Sequence, residues 1–466
     1  MLLTYLKTQL FKGVHPSSLA VFRILFGALM LFDSINYGVF LCPDCMYRSS
    51  DLLFKYRYFE WVGLLPGMGL ELVYFLMGLG ALGVMLGLFY RISAILMTLC
   101  FSYIFLLDQA QYLNHFYLAF LFSCLLIFVP ANTFWALDAK RNPEIASSVV
   151  PNWGRFWLCA QLEIVLVYAG LVKINRDWLN LEPMRLWMTE KSAGSMEVFQ
   201  WLTADWGIAI ASYGAIVLHL VGAPLLLFQR TRLYALAAYV CFHLTNSLVF
   251  NIGIFPWMTI AATLMMFDPD WPLQVKQWWS SRWGRDSGPK LTLNELRRIG
   301  PLDSSSYSHQ SGGAVIVFLM VVWLTVQVAV PLRHYFIPGD VAWSEGGHRF
   351  SWRMMLRSKR GTIKFVVVKE GERIIVDPSE HLNKQQLWKV TCLPDLIWQY
   401  AQFLEAEYSQ NGEYNIAVYA DALCSLNARE PAPLINRLVD LTDIPRDHPA
   451  DKWLLPLSKP LPRAIF

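Results

Sequence analysis

The sequence predicts a polytopic α-helical membrane protein of about nine spans with a small C-terminal α+β extramembrane domain. Three observations carry this. Of 466 residues, 55% are hydrophobic and 16% charged, against about 25% charged in a soluble globular protein, and mean hydropathy is +0.37. The apolar residues fall into repeated runs near the ~20 residues that a bilayer crossing needs. From about residue 341 those runs give way to β-rich and amphipathic stretches. Such a composition excludes a disordered or low-complexity chain. The net charge of +4 supplies no broad basic field for nucleic acid. The 19 Trp and 20 Tyr suit aromatic belts at two membrane interfaces.

Candidate spans lie near residues 17–40, 70–90, 92–108, 113–130, 153–174, 207–228, 232–250, 252–267 and 313–332. The third and eighth are short and closely joined to their neighbours. Residues 1–15 lack a small-residue cleavage site, so the first run is read as a span that stays. With the N-terminus in the cytoplasm, inside segments hold Lys7, Lys12, Arg91, Lys140, Arg141, Arg230, Arg232, Lys276, Arg282, Arg285, Lys290, Arg297 and Arg298. The outside loops before the last span hold only Arg48, Lys55, Arg57, Arg176, Arg185 and Lys191. Excess Lys and Arg marks the cytoplasmic side. Nine crossings then place the C-terminal part outside, in the periplasm of a bacterium or the endoplasmic reticulum lumen of a eukaryote.

Residues 1–340 are thus read as a helical transmembrane domain with a cytoplasmic loop near 268–312. Residues 341–466 are read as the extramembrane domain. Within it, Thr362–Val368 and Arg373–Val376 flank a Gly-containing turn and predict a hairpin. Residues 380–407 show helical spacing, and 414–423 reads as a strand.

Eight cysteines do not make a disulfide scaffold. Cys100, Cys124, Cys159 and Cys241 sit in apolar runs as small hydrophobes. Cys42 and Cys45 form a C-x-x-C that fits a redox pair, a local disulfide or half a metal site. No second C-x-x-C completes a zinc site.

Ionisable residues inside spans are costly and are candidates for function. Arg23 in the first span reads either as a snorkelling or ion-paired residue or as a functional one. Asp33 lies ten residues on, about 15 Å along the helix, too far to pair with it. Asn114 and His115 open the fourth span, as an interfacial cap or as part of a site. Glu163 and Lys173 lie in the fifth. Lys173 ends an apolar run and either snorkels outward or is held inward, where desolvation favours the neutral amine, a general base. His243 and Asn246 share one face of the seventh span. Asn114, His115, Lys173, His243 and Asn246 all fall near the outer leaflet, from three spans, beside the extramembrane domain.

Six stretches in order resemble the vitamin K-dependent gamma-glutamyl carboxylase family. They are Leu19–Gly27, Gly80–Ser93, Phe105–Asp108 with Asn114-His115, Gly170–Lys173 with Asp177-Trp178, Phe242–Phe255, and Phe350-Ser351-Trp352 with Met354-Met355. The resemblance implies an enzyme that oxidises vitamin K hydroquinone with oxygen to the epoxide. The strong base so formed takes a γ-hydrogen from a protein glutamate, which carbon dioxide carboxylates. It implies Lys173 as the base and His115 as the group that stabilises a charged intermediate. Asn114, His243 and Asn246 would lie at the quinone, and Ser351, Trp352, Met354 and Met355 at the glutamate substrate. No metal is implied. Partners would be a glutamate-containing protein or peptide, membrane lipid and quinone.

The chain departs from the family too. The cysteine pair that ties the family's two domains is unmatched, with Lys55 or Tyr56 and Phe403 at those places. Arg353 replaces an acidic residue, and Arg357 a histidine, in the stretch linked to glutamate binding. A non-catalytic quinone- or lipid-binding protein on the same scaffold is the alternative reading.

Overall fold

The computed structural model describes residues 8–41, 44–192, 203–250, 252–283, 311–409, 415–446 and 452–462. The membrane layer is built from α1 (Ser17–Ile35), α2 (Gly69–Leu86), α3 (Tyr90–Leu107), α4 (Asn114–Phe128), α5 (Trp153–Leu171), α6 (Asp205–Val217), α7 (Arg232–Val249), α8 (Phe255–Thr263), α9 (Trp271–Arg282) and α10 (Ser311–Leu332). Among the described residues, six helical stretches are long and apolar enough to cross a membrane: Ser17–Phe40, Gly69–Leu86, Tyr90–Leu107, Trp153–Leu171, Asp205–Leu226 and Gly313–Phe336. Asn114–Phe128 and Phe255–Met266 are shorter apolar helices. The stretch expected as the seventh span is the helix α7, which carries Arg232, His243 and Asn246 and is not among those six. The chain is a polytopic helical membrane protein. Part of the expected loop at 268–312 is the helix α9, and 284–310 lies outside the described residues.

Small residues let these helices approach closely, as membrane packing favours. A Cβ at Gly27 of α1 would meet the Met85 backbone at 2.6 Å, and one at Gly80 of α2 would meet Met97 N of α3 at 2.8 Å. Polar clasps join α10 to α5. Trp323 Nε1 donates to Gln161 Oε1 at 2.7 Å and the Tyr168 hydroxyl donates to Val328 O at 2.6 Å.

Arg23 does not snorkel, and it forms no ion pair among the described residues. It is fully buried. Its Nη1 donates to Val84 O and Met85 O at 2.9 and 3.0 Å, and Nη2 to Trp135 O at 2.6 Å. The last carbonyls of a helix lack intrahelical donors and carry partial negative charge, so a cation in α1 caps the C-terminus of α2.

The C-terminal region is α+β. β1 (Lys359–Lys369) turns at Glu370-Gly371 into β2 (Glu372–Val376). Both turn residues have positive φ, 51° and 87°, as a two-residue hairpin matched to strand twist demands. The expected helical stretch at 380–407 resolves into α11 (Lys384–Val390) and α12 (Pro394–Tyr408). Proline has no N–H to continue a helix, so the break falls before Pro394. β3 (Ile416–Leu426) pairs antiparallel along the whole of β1, and β4 (Ala432–Pro433) pairs with β3, giving the order β2-β1-β3-β4. Burial alternates along β3 with the period of two that a half-covered sheet requires. Its inward side chains pack with Phe365, Val367, Leu396, Tyr400 and Leu404. A disulfide between Cys392 and Cys424 joins the α11–α12 break to β3. Neither cysteine stood out in the sequence, where only spacing was visible. Cys45 is also disulfide-bonded, and Cys42 lies outside the described residues.

The sheet region is tied down by polar clasps. Gln399 accepts from Lys55 N at 2.7 Å and donates to Lys55 O at 3.1 Å. Arg446 also donates to Lys55 O, at 2.6 Å. Hydrogen bonds thus hold the chain near Lys55, where the family's cysteine tie is unmatched.

Candidate functional site

Four membrane elements end around one cavity of about 220 Å³. They are the start of α4, the residues just past α5, the irregular end of α6, and the α7–α8 corner. Asn114, His115, Lys173, His219 and Asn246 supply its polar groups. Trp178, Met184, Trp187, Phe242, Phe250, Phe255, Met354 and Met355 supply much of its apolar wall. This is the composition of a small-molecule pocket: mostly apolar, with few convergent polar groups.

Local sequence explains the convergence. Lys173 stands two residues past the end of α5 and is 5% exposed, so it does not snorkel. Its Nζ donates to Ala169 O at 2.8 Å and lies 5.1 Å from the Trp178 ring centroid. Trp178 is fixed by Nε1–H to Ser212 O at 2.9 Å. It is also fixed by its backbone N–H to Asn175 Oδ1 at 3.0 Å, which opens a short helix at Arg176. No carboxylate is among the residues lining the cavity, and none forms an ion pair with Lys173 among the described residues.

Asp177, which precedes Trp178, is gripped from the C-terminal region. Arg429 donates to both its oxygens at 2.7 and 2.6 Å, and Asn427 Nδ2 donates at 2.7 Å. A forked guanidinium on a carboxylate fixes direction as well as distance.

α6 widens into a π turn at Leu218–Gly222 before a short helix containing Pro224. Proline cannot bond back into the preceding turn, and π turns recur at functional sites. The turn lays His219 against α5, where Gly170 makes room. A Cβ there would lie 3.0 Å from His219 Cβ and 2.7 Å from Leu220. At the α7–α8 corner Gly253 has φ +56° and sits over His115, and an added Cβ would lie 3.5 Å from His115 Nε2.

The structure brings Asn114, His115, Lys173, Asn246, Met354 and Met355 to the cavity. His243 does not line it. It is 1% exposed and packs behind the wall, with ring centroids 5.8 Å from Phe255 and 5.4 Å from Phe242. Sharing a face with Asn246 is not enough, because the earlier turn of α7 points into the helix layer. Ser351 and Trp352 do not line it either. Ser351 Oγ donates to Gly347 O at 2.7 Å, and Trp352 is fully buried, stacked on Tyr117 at 4.9 Å. Phe350, Trp352 and Met355 all have positive φ, 61°, 52° and 54°. Bulky residues in this region are strained and cluster at functional loops. Ser351 and Trp352 anchor that loop, and Met354 and Met355 are what it presents. Glu163 and Asp33 line other parts of the fold, Asp33 beside Tyr37, Tyr47 and Tyr74.

His219 was missed from sequence, although a lone histidine in the apolar run at 215–227 was a visible signal. Also missed was a second cavity of about 260 Å³, which shares Leu113, Asn114 and Met355 with the first. His348, Arg349, Arg353, Arg357, Lys359 and Lys389 line it. Glu345, not among its lining residues, pairs with Arg357 and Lys359, both at 2.7 Å. Burial pushes the Glu345 carboxyl up, but those two cations outweigh burial and hold it at about 2. Burial lowers the Lys359 amine to about 8, with Glu345 opposing. The wall is basic, so the cavity suits an anion. No group of three or more His, Cys, Asp or Glu able to hold a metal occurs among the described residues.

Residues 11–271 match the HTTM domain family, and residues 313–460 match the family described as "Vitamin K-dependent gamma-carboxylase, lumenal domain". No solved structure matches the chain. The two matches run in order over both the helical layer and the sheet region, and the chain belongs to the vitamin K-dependent gamma-glutamyl carboxylase family.

Proposed function

We propose that this protein couples oxidation of vitamin K hydroquinone by oxygen to carboxylation of glutamate side chains with carbon dioxide. The observation that carries the reading is the Lys173 amine, buried in an apolar wall and out of reach of any described carboxylate. Burial lowers its affinity for a proton, and an uncharged amine is a general base. The hydroquinone would supply the reducing power and, once oxidised, the base strong enough for the γ-hydrogen. The chain's own residues do the rest. Lys173 accepts the hydroquinone's hydroxyl proton. His115 and Asn114 sit on the facing wall, where a polar group can meet developing charge. Trp178, Trp187 and Phe250 keep water out, which protects a strong base.

The adjoining basic cavity holds the acceptor. Arg353 and Arg357 there can pair with a carboxylate through fixed forks, and the shared Met355 wall keeps acceptor and hydroquinone next to each other. The departures at these two positions fit a different acceptor set rather than lost chemistry. The residue roles, the split of the chain near residue 340 and the outward placement of the sheet region are parts of this proposal. The Cys392–Cys424 disulfide supports an oxidising compartment for that region.

The test is purified protein in lipid with reduced vitamin K, oxygen, labelled bicarbonate and glutamate peptides. Label in peptide together with epoxide supports the reading. Tight quinone binding with neither product would move the assignment to a non-catalytic quinone-binding protein.

A further inference from the structure

We propose that His219 is a specificity residue that admits the reduced ligand, by offering a fixed hydrogen-bond acceptor to one of its hydroxyl groups. The inference rests on the reading that the cavity beside Lys173 takes a hydroquinone. Nothing in the sequence patterns above assigns His219 a role.

The argument starts from the ring's tautomer. His219 is 4% exposed and lines the cavity with Lys173. Its Nδ1 lies 2.6 Å from Ala215 O. A carbonyl oxygen can only accept, so the ring proton sits on Nδ1. In the neutral imidazole the other nitrogen, Nε2, is then a bare acceptor. Nδ1 makes the ring's hydrogen bond among the described residues, which leaves Nε2 to the cavity that the ring lines. No described carboxylate pairs with the ring, so nothing nearby favours the doubly protonated form. The orientation is held on three sides. Phe242 and Tyr239 pack edge-on to the ring at 5.2 and 6.0 Å, and the Gly170 backbone is tight against its Cβ.

The two asparagines of the cavity do not discriminate in this way. Asn114 and Asn246 each carry both a donor and an acceptor, so they serve a carbonyl or a hydroxyl equally. Nε2 cannot donate. A hydroquinone hydroxyl gives it a proton to accept. A quinone carbonyl sets lone pair against lone pair and leaves a buried acceptor unmade, which is the expensive case. The cavity therefore sorts ligands by redox state before chemistry begins. A family of substrates that share the ring but lack a free hydroxyl is excluded by the same contact.

The experiment is anaerobic binding of vitamin K hydroquinone, the quinone and the hydroquinone dimethyl ether to the full chain in lipid nanodiscs. Wild-type protein is expected to prefer the hydroquinone to both other forms. His219→Phe keeps the ring volume but loses the acceptor. It is expected to weaken hydroquinone binding roughly two- to tenfold, the usual worth of one such bond, and to tighten quinone binding, because the unmet acceptor is gone. His219→Gln restores an acceptor and should recover part of the preference. Wild-type binding of the dimethyl ether as tight as the hydroquinone overturns the assignment without any variant. So does a His219→Phe protein that keeps the full preference or loses all three ligands alike. Wild-type protein that binds none of the three overturns the hydroquinone reading itself, a different failure from equal binding of all three.

Discussion

Lys173 and Arg23 show how much one buried cation depends on what surrounds it. Both sit in apolar helical surroundings. Arg23 finds three carbonyl partners, two at the end of α2 and one at Trp135, whereas Lys173 makes a single bond to Ala169 O and faces a cavity. The first arrangement holds a charge for stability, and the second leaves an amine available for a proton. Lys173→Ala is expected to remove both epoxide formation and carboxylation while hydroquinone binding persists, with partial rescue by a small exogenous amine. Because the base works unprotonated, the wild-type rate should rise with pH through the titration of that amine. A Lys173→Ala enzyme that keeps most of its turnover would falsify the base assignment. Arg23→Met should keep turnover per folded molecule but lower stability by about 2 kcal/mol, the scale of bonds from a charged donor, read from thermal inactivation in detergent. Sequence placed Lys173, His115, Asn114 and Asn246 at one level, because polar residues in apolar runs are conspicuous. It could not tell a capping arginine from a snorkelling one, since the carbonyls that Arg23 meets lie 61 and 62 residues away in α2 and 112 away at Trp135.

At the scale of elements, the site is aimed by structures that are not regular. A π turn before Pro224 sets His219, Gly253 turns the chain over His115, and a run of left-handed residues presents Met354 and Met355. Periodicity in sequence reports regular helices, so it found the spans but grouped His243 with Asn246 at the cavity that His243 only backs, and the resemblance that pointed to Ser351 and Trp352 could not show that they anchor the loop rather than line the cavity. The short helix after Lys173 is held by the Asp177–Arg429 fork, and both partners are largely buried. Removing one partner of such a pair leaves the other uncompensated. Arg429→Ala is therefore expected to cost about 3 kcal/mol of stability and to lower turnover by misplacing Trp178 under the amine. Asp177→Asn with Arg429→Gln should cost less than the two single changes together, a coupling read from a double-mutant cycle. Equal and additive losses would mean that the fork does not hold this segment. The Glu345 cluster makes a pH prediction. Its carboxyl titrates at about 2 in the fold against roughly 4.3 in an unfolded chain. A depressed folded value means that the stabilisation is complete above the unfolded value and lost as pH falls toward the folded one. The thermal midpoint of the wild type should therefore drop between about pH 4.5 and 2. Glu345→Gln should start lower and vary less over that window.

At the scale of the molecule, the two cavities need access from two phases. The apolar cavity opens among helix ends and suits a ligand that arrives through lipid, whereas the basic one lies under the sheet region and suits a soluble chain. That division works only if the sheet region is outside and the basic loops of the helical layer are inside. The excess of Lys and Arg on one set of loops favours this side, and the Cys392–Cys424 disulfide favours it independently. Sequence alone had the first argument and not the second, because pairing residues 32 positions apart needs the fold that brings β3 to the α11–α12 break. Two exposed positions separate the alternatives. Leu438 is 80% exposed in the sheet region, and Lys276 is exposed on α9. Each can be changed to cysteine in a background without the exposed Cys241. In intact cells or right-side-out vesicles, a membrane-impermeant maleimide should label Leu438→Cys at once and Lys276→Cys only after permeabilisation. The reverse pattern would put the basic cavity in the cytoplasm, where a disulfide beside it would not be expected to persist, and would require a cytoplasmic acceptor. Labelling of both positions before permeabilisation would place α9 and the sheet region on one side and remove one crossing between them, which α10 makes costly, since its apolar face has no other solvent to meet.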